Sequence, residues 1–276
     1  MLIFLTQPIK TYIVDLSHLK VLVTGGGGIG VGAGVCQALD EFGATLLINE
    51  KELTKAEKDA HRYRKAFPIQ ADITKASEIE KMFEEIESRF GAINGLVNNA
   101  GVGLVKAVHE IEEEEFEALY SVNVKGMWRV SKFFVRQLLK HKIKGNIVNV
   151  SSVHGFASQP NYSTYASSKS AVEGLTRALA YELGAHGIRV NAIGPGMVHA
   201  EQNYDLIKEW APDPQKWVEE FIENQQTLHH YIEPVDCGYT AAFLLSNYSR
   251  SITGQTIYVD AGKTIMLFNQ DYINQK

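Results

Sequence analysis

Leu19-Lys20-Val21-Leu22-Val23-Thr24-Gly25-Gly26-Gly27-Gly28-Ile29-Gly30-Val31-Gly32 is the stretch on which the reading of the fold turns. Leu19 to Thr24 is a short apolar run of β character that stops at a glycine cluster, as a strand does on entering a tight turn. From Gly32 the period changes. Val35, Ala38, Leu39 and Phe42 fall at i, i+3, i+4 and i+7, one buried face of a helix. A second strand follows at Thr45 to Asn49. In a doubly wound sheet this order of strand, glycine turn, helix and strand presents a helix N-terminus to a pyrophosphate, and the glycines let the backbone come close to it.

The alternation continues outward. Ser77 and Glu80 read as a capping box, and Ile79, Met82, Phe83, Ile86 and Phe90 form an apolar helical stripe that feeds a strand at Leu96 to Asn98. Further strands are predicted at Phe67 to Ala71, Asn146 to Ser151, Arg189 to Gly194 and Gln255 to Val259, with helices around 113–140, 163–185 and 234–246. Seven strands alternating with helices require crossovers. The fold class is therefore α/β, a three-layer, doubly wound, mainly parallel sheet of seven strands. No linker, composition shift or repeat divides the chain, so one domain is expected over 18–262, with extensions at 1–17 and 263–276.

The 276 residues are 45% hydrophobic and 21% charged, which excludes disordered, collagenous and coiled-coil classes. Lysine and arginine number 27 against 32 acidic residues, a net charge of −5 that gives no basic footprint for nucleic acid. Cys36 and Cys237 have no Cys or His at ligand spacing, so neither a disulfide framework nor a zinc site is expected. Thr6-Gln7-Pro8 interrupts the apolar Met1 to Leu5 before it reaches the length of a signal core, and no run reaches membrane-spanning length. A cytoplasmic location is predicted.

Glu50 ends the second strand 18 residues beyond Gly32, where a carboxylate takes the hydroxyls of an adenosine ribose and repels a 2′-phosphate. This favours NAD over NADP, although Lys51 beside it leaves a phosphate open. Tyr165 and Lys169 stand at i and i+4, on one face of a helix. Ionising a phenol of pKa near 10 at pH 7 costs roughly 4 kcal/mol. A neighbouring ammonium and an oxidised nicotinamide ring supply positive charge that lowers this cost and makes Tyr165 a usable acid/base. Ser152, at the end of the strand Asn146 to Ser151, has a hydroxyl placed to polarise a carbonyl.

With these residues the chain resembles the short-chain dehydrogenase/reductases, in particular the branch that includes 3-oxoacyl-carrier-protein reductases, over roughly residues 18–262. Thr24-Gly25, Ala71-Asp72-Ile73, Asn98-Asn99-Ala100-Gly101, Asn123, Ser151-Ser152, Tyr165 with Lys169, Pro195-Gly196 and Val259-Asp260-Ala261-Gly262 follow the family's order, and the interval of 13 from Ser152 to Tyr165 is its usual one. The resemblance implies a fold with a helical substrate lid and an NAD(P)(H)-dependent oxidoreductase that interconverts a secondary alcohol and a ketone. It implies Tyr165 as proton donor and acceptor, Ser152 as the carbonyl-orienting hydroxyl, Lys169 as ribose anchor and pKa modifier, and Asn123 as holder of a water that links Lys169 to solvent. Gly25, Ile29, Gly30, Val31 and Gly32 would cradle the pyrophosphate. Glu50 would take one ribose, Asp72 and Ile73 the adenine, Asn99 the adjoining ribose and the Val198 backbone the carboxamide, with Tyr165 and Lys169 also among the cofactor contacts. A homotetramer or homodimer built on the helices near 113–140 and 163–185 is implied as well.

Three features depart from the family pattern. The glycine loop carries one extra residue; Ala200 stands where a threonine is usual; both ends are longer than in a minimal member. Elsewhere, Glu110, Glu112 to Glu115 and Glu117 read as a solvated helix head, His229-His230 as no metal site, and Trp128, Phe133 and Phe134 as core or interface. The segment 199–233 is too long for an ordinary loop. Within it Asp213 and Pro214 read as helix cap and first residue, and Trp217, Val218, Phe221 and Ile222 form an apolar stripe opposite Glu219, Glu220 and Glu223. Such a lid closes over a substrate with an apolar body, or its aromatic residues only anchor it. Competing functions are a catalytically silent dinucleotide-binding sensor or scaffold, an NADPH-preferring 3-oxoacyl-thioester reductase, and a lyase or epimerase on the same fold.

Overall fold

A computed structural model describes residues 14–200, 203, 206–209 and 211–268. The apolar run after His18 forms β1 (Lys20–Thr24), followed by α1 (Val31–Glu41), β2 (Thr45–Glu50), α2 (Leu53–Ala60), β3 (Ala66–Gln70), α3 (Ala76–Phe90) and β4 (Gly95–Asn98). The second half holds α4 (Glu113–Tyr120), α5 (Met127–His141), β5 (Gly145–Val150), α6 (Ser163–Leu183), β6 (Ile188–Pro195), α7 (Pro214–Gln225), α8 (Pro234–Leu245) and β7 (Thr256–Val259). All seven strands are parallel in the order β3-β2-β1-β4-β5-β6-β7. Chain order reverses between β1 and β4, which opens a crevice at their carboxyl ends.

Alternation along the strands sorts the core into two layers. Val21, Val23, Leu46 and Ile48 face one way, into a cluster with Val35 and Leu39 of α1 and Leu244 of α8. Leu22 and Leu47 face the other, among Ile79, Met82 and Phe83 of α3, Phe134 of α5 and Ala180 of α6. On the first face α1 and α8 meet backbone to backbone, because a Cβ at Gly34 would run into the Pro234 carbonyl and one at Gly238 into Gly34. Beneath the crevice Asn98 Nδ2 donates to Ser131 Oγ and Asn149 Oδ1, both at 2.9 Å, and Asn149 Nδ2 donates to Thr176 Oγ1 at 2.9 Å. These buried bonds tie β4 and β5 to α5 and α6.

The predicted strands and the helices at 163–185 and 234–246 are present within a residue or two. The Ser77–Glu80 capping box is not. Helix α3 starts at Ala76 with Lys75 at its cap and no side-chain cap bond, because the turn before it closes on Asp72 and the Glu78 carboxylate takes the Asp72 N–H at 2.8 Å. The helix read at 113–140 is two helices joined by a wide π-type turn, Ser121–Gly126, and its acidic head is a capping box between Glu112 and Glu115. Helix α2 had no counterpart in the sequence reading. Leu16, which that reading placed in the N-terminal extension, is fully buried against the first layer, so the folded unit reaches back at least that far. Residues 1–13 and 269–276, with the apolar Met1 to Leu5, lie outside the described residues, as do 201, 202, 204, 205 and 210 of the lid.

Candidate active site

Most of the sequence-predicted residues sit at one edge because they end or follow a parallel strand at its carboxyl end. The glycine turn follows β1, Glu50 ends β2, Asp72 and Ile73 follow β3, Asn99 follows β4, Ser152 follows β5 and Val198 follows β6. Three reach the site by other routes: Asn123 from the wide turn after α4, and Tyr165 and Lys169 from the first turns of α6.

Lys169 Nζ donates to the Val150 carbonyl, the last residue of β5, at 3.0 Å and lies 5.6 Å from the centre of the Tyr165 ring. Ser152, two residues beyond that carbonyl, caps the turn Val153–Gly155, its Oγ accepting from the His154 N–H at 3.2 Å. Burial pushes the Lys169 ammonium down from 10.5 to about 8. Burial also holds the Tyr165 phenol above its ordinary value, while its hydrogen bond with Ser152 pulls the other way. Asn123 is a strut. Its Oδ1 accepts from the Val102 N–H at 2.8 Å, and its Nδ2 donates to the Val102 carbonyl at 2.9 Å and to Ser168 Oγ at 3.2 Å. A Cβ on Gly101 would lie 3.3 Å from Asn123 Oδ1 and 3.5 Å from Lys169 Nζ, so the chain after β4 passes directly over both.

At the other end of the crevice, Asn99 Nδ2 donates to the carbonyls of Thr24 and Gly25 at 3.2 and 2.6 Å, while Thr24 Oγ1 accepts from the Asn99 and Ala100 N–H groups. These bonds join the ends of β1 and β4. Gly30 caps α1, so Val31 and Gly32 open its first turn and Ile29 stands just before the cap. Gly32 has no room for a side chain, since a Cβ would run into the Gly25 carbonyl and the Asn99 amide. Gly28 lies in the left-handed region at φ +78° with open space beside it. Glu50 Oε1 accepts from the Gly27 N–H at 2.9 Å, and its other oxygen pairs with Lys55 at 2.9 Å. Lys51 pairs with Asp72 at 3.3 Å. Burial pushes the Asp72 carboxyl up, but hydrogen bonds from Thr74 and the Lys51 charge outweigh it and leave the group below its ordinary value. Ile73 packs on Gly126, and Val198 is buried where it bridges Ile232. This glycine cradle at a helix N-terminus, with a carboxylate at the end of β2, fits a dinucleotide.

The sequence reading missed His154. Its ring stacks on Tyr162 at 4.3 Å, meets Tyr165 edge-on at 5.7 Å, and leaves a buried Nδ1 without a partner. Burial lowers its pKa, which keeps the imidazole neutral near pH 7. Its place two residues after Ser152 was the available signal. His229 pairs with Glu223 at 3.2 Å, and no cluster of three or more metal-ligating side chains occurs among the described residues.

The family model described as Enoyl-(Acyl carrier protein) reductase matches residues 27–264. The chain is 32% identical over 248 residues to the 3-oxoacyl-(acyl-carrier-protein) reductase FabG of Staphylococcus aureus, covering 88% of this chain and 97% of that protein. The reductase of the same name from Thermotoga maritima is also 32% identical, with coverages of 89% and 98%. Among solved structures, a gluconate 5-dehydrogenase from Burkholderia cenocepacia J2315 in complex with NADP and tartrate superposes with a TM-score of 0.83 at 28% identity, covering 92% of this chain and 98% of that one. A short-chain type dehydrogenase/reductase from Mycobacterium marinum gives 0.80 at 28% identity, with the same coverages. The protein belongs to the short-chain dehydrogenase/reductases, a family of oxidoreductases.

Proposed function

We propose that the protein interconverts a secondary alcohol and a ketone with NAD(H), using Tyr165 as the proton-transferring group. The observation that carries this reading is the convergence of the Ser152 hydroxyl, the Tyr165 phenol and the Lys169 ammonium at the carboxyl end of β5. A bound nicotinamide dinucleotide supplies the hydride donor or acceptor. The chain handles the proton. In reduction, the Ser152 hydroxyl donates to the substrate carbonyl oxygen and orients it, and Tyr165 Oη gives that oxygen its proton as the carbinol C–H forms. In oxidation, the phenolate takes the alcohol proton, and the Lys169 ammonium stabilises the phenolate charge.

Glu50 supports NAD over NADP, since its carboxylate opposes a 2′-phosphate. The structural neighbour bound to NADP and the relatives named 3-oxoacyl reductases keep NADPH-dependent reduction of a 3-oxoacyl thioester as the second reading. A panel of alcohols with NAD⁺ at alkaline pH, followed by absorbance of the reduced nicotinamide, tests the activity. Fluorescence titration of NADH against NADPH tests the preference, and tighter NADPH binding would overturn it. The free, buried Cys36 and Cys237 suit a reducing compartment, which supports the cytoplasm as its location. No helix among the described residues is long and apolar enough to cross a membrane. The partly exposed Phe116, Trp128 and Leu139 and the exposed Tyr181 on α4, α5 and α6 support a homotetramer or homodimer built on those helices.

A further inference from the structure

Helix α2 carries no residue of the family motifs, yet its C-terminal end reaches the glycine turn. Gly28 is gripped on both sides: its N–H donates to Asp59 Oδ2 at 3.1 Å, and its carbonyl accepts from Arg62 Nη1 at 2.6 Å. The two gripping side chains are themselves paired, Arg62 Nη1 lying 3.5 Å from Asp59 Oδ1. Asp59 is buried, whereas its mate is half exposed. Gly27 is held just as closely, because a Cβ there would run into the Asp59 carboxylate and come within 2.7 Å of Glu50 Oε1. Tyr63 continues the contact by donating to the Ala33 carbonyl of α1 at 3.2 Å. The contacts at Gly27 and Gly28 fall in the segment between Gly25 and Gly30 that is one residue longer than the family pattern. An extra glycine there adds backbone freedom that must be removed before the N–H groups of the following helix turn can meet a ligand in one geometry.

We propose that Asp59 and Arg62 form a clamp on the Gly28 peptide and are positioning residues for the dinucleotide. They fix the lengthened turn so that the N–H groups at Ile29 to Gly32 face the pyrophosphate. The proposal rests on the dinucleotide reading above. The clamp acts on the phosphate end of the crevice and leaves the Ser152–Tyr165–Lys169 end untouched. Its loss therefore changes cofactor binding and not the proton chemistry.

The test measures dissociation constants for NADH by fluorescence titration, KM and kcat at saturating cofactor, and melting temperature, on wild type, Arg62→Ala, Arg62→Lys and Asp59→Asn. Arg62→Ala and Asp59→Asn are each expected to raise the NADH dissociation constant and cofactor KM about tenfold while kcat stays within about twofold, and Arg62→Lys to recover most of the loss. Asp59→Asn is the variant of unchanged shape: its neutral amide oxygen accepts from Gly28 more weakly than the carboxylate does, and Arg62 loses the charge that holds it on the Gly28 carbonyl, so both grips weaken. It decides the matter if Arg62→Ala does not fold. Unchanged NADH binding in Asp59→Asn overturns the clamp. A fall in kcat and melting temperature in step with binding, with no recovery in Arg62→Lys, also overturns it in favour of a purely structural role. Wild type that binds neither NADH nor NADPH overturns the dinucleotide reading itself, a result distinct from the other two.

Discussion

An ammonium enclosed as Lys169 is loses the water that stabilises its charge, which is why its pKa falls to about 8. The sign of the stability effect follows. The folded-state value lies below the unfolded value of 10.5, so the charged form is penalised in full below about pH 8, and stability is regained as pH rises from about 8 towards 10.5. The difference amounts to on the order of 3 kcal/mol. Lys169→Met is expected to melt at a higher temperature than wild type at pH 7 and to lose turnover and cofactor affinity together; a lower melting temperature would show that the bond to the Val150 carbonyl outweighs the charge. Tyr165→Phe is expected to lower kcat at least ~100-fold and to leave NADH affinity nearly unchanged, because the phenol proton is used mainly in the transition state. Retention of a tenth of the wild-type rate would remove Tyr165 from its role. With the phenol held high by burial in the absence of cofactor, alcohol oxidation should accelerate from pH 7 to 9 while ketone reduction does not, a contrast read directly from the two pH profiles. Tyr165, Lys169 and Ser152 were legible in the sequence because their spacing is rigid, an i, i+4 pair on a helix and a strand end. His154 was not, since its significance lies in stacking between two tyrosines that no linear pattern displays.

At the scale of elements, legibility followed the amount of apolar surface each one buries. Helices α1 and α3 carry apolar stripes and read clearly, whereas α2 buries only Ala56, Asp59 and Ala60, too little to print a period on Leu53–Ala60. Helix α7 read correctly down to its cap, where Asp213 accepts from the Lys216 N–H at 3.1 Å ahead of Pro214. Its stripe, however, is largely spent inside the lid. Val218 is buried with Ile207 and Ala211, Trp217 and Ile222 pack around them, and Phe221 stacks on Trp217 at 5.4 Å. The anchoring reading of Trp217 therefore gains weight, and its effect on substrate is indirect, through the firmness of the lid. Trp217→Ala is expected to raise substrate KM several-fold with NADH affinity unchanged and the circular dichroism of the folded protein retained. If Trp217→Ala and Phe221→Ala both keep wild-type KM and kcat on every substrate found, or if glucose is the best substrate, the lid does not close over an apolar-bodied substrate.

For the whole molecule, the seven-stranded parallel sheet with helices on both faces was legible because parallel strands buried on both faces leave near-continuous apolar runs, whereas the order of the strands was not read. The backbone contact of α1 with α8 was not, since a glycine inside a helix gives no hint of its partner. The exposed aromatic residues on α4 to α6 lead to an expected particle of two or four chains. Light scattering at micromolar concentration that returned a single 30.7 kDa chain would refute the assembly.

The single bridge between Val198 and Ile232, reinforced by the His199 N–H bonding to the Ile232 carbonyl at 2.7 Å, pins the two ends of the lid together at its base. A second tie lies just before Ile232, where the Thr227 and Leu228 N–H groups both bond to the Ala261 carbonyl after β7 at 2.9 Å, and the chain between these ties closes a loop. Lengthening such a loop costs only its closure entropy, about 0.6 kcal/mol per doubling. Substrate range can therefore diverge in descendants of this chain by insertion and deletion above that base, while the proton-handling groups after β5 and on α6 stay under separate selection.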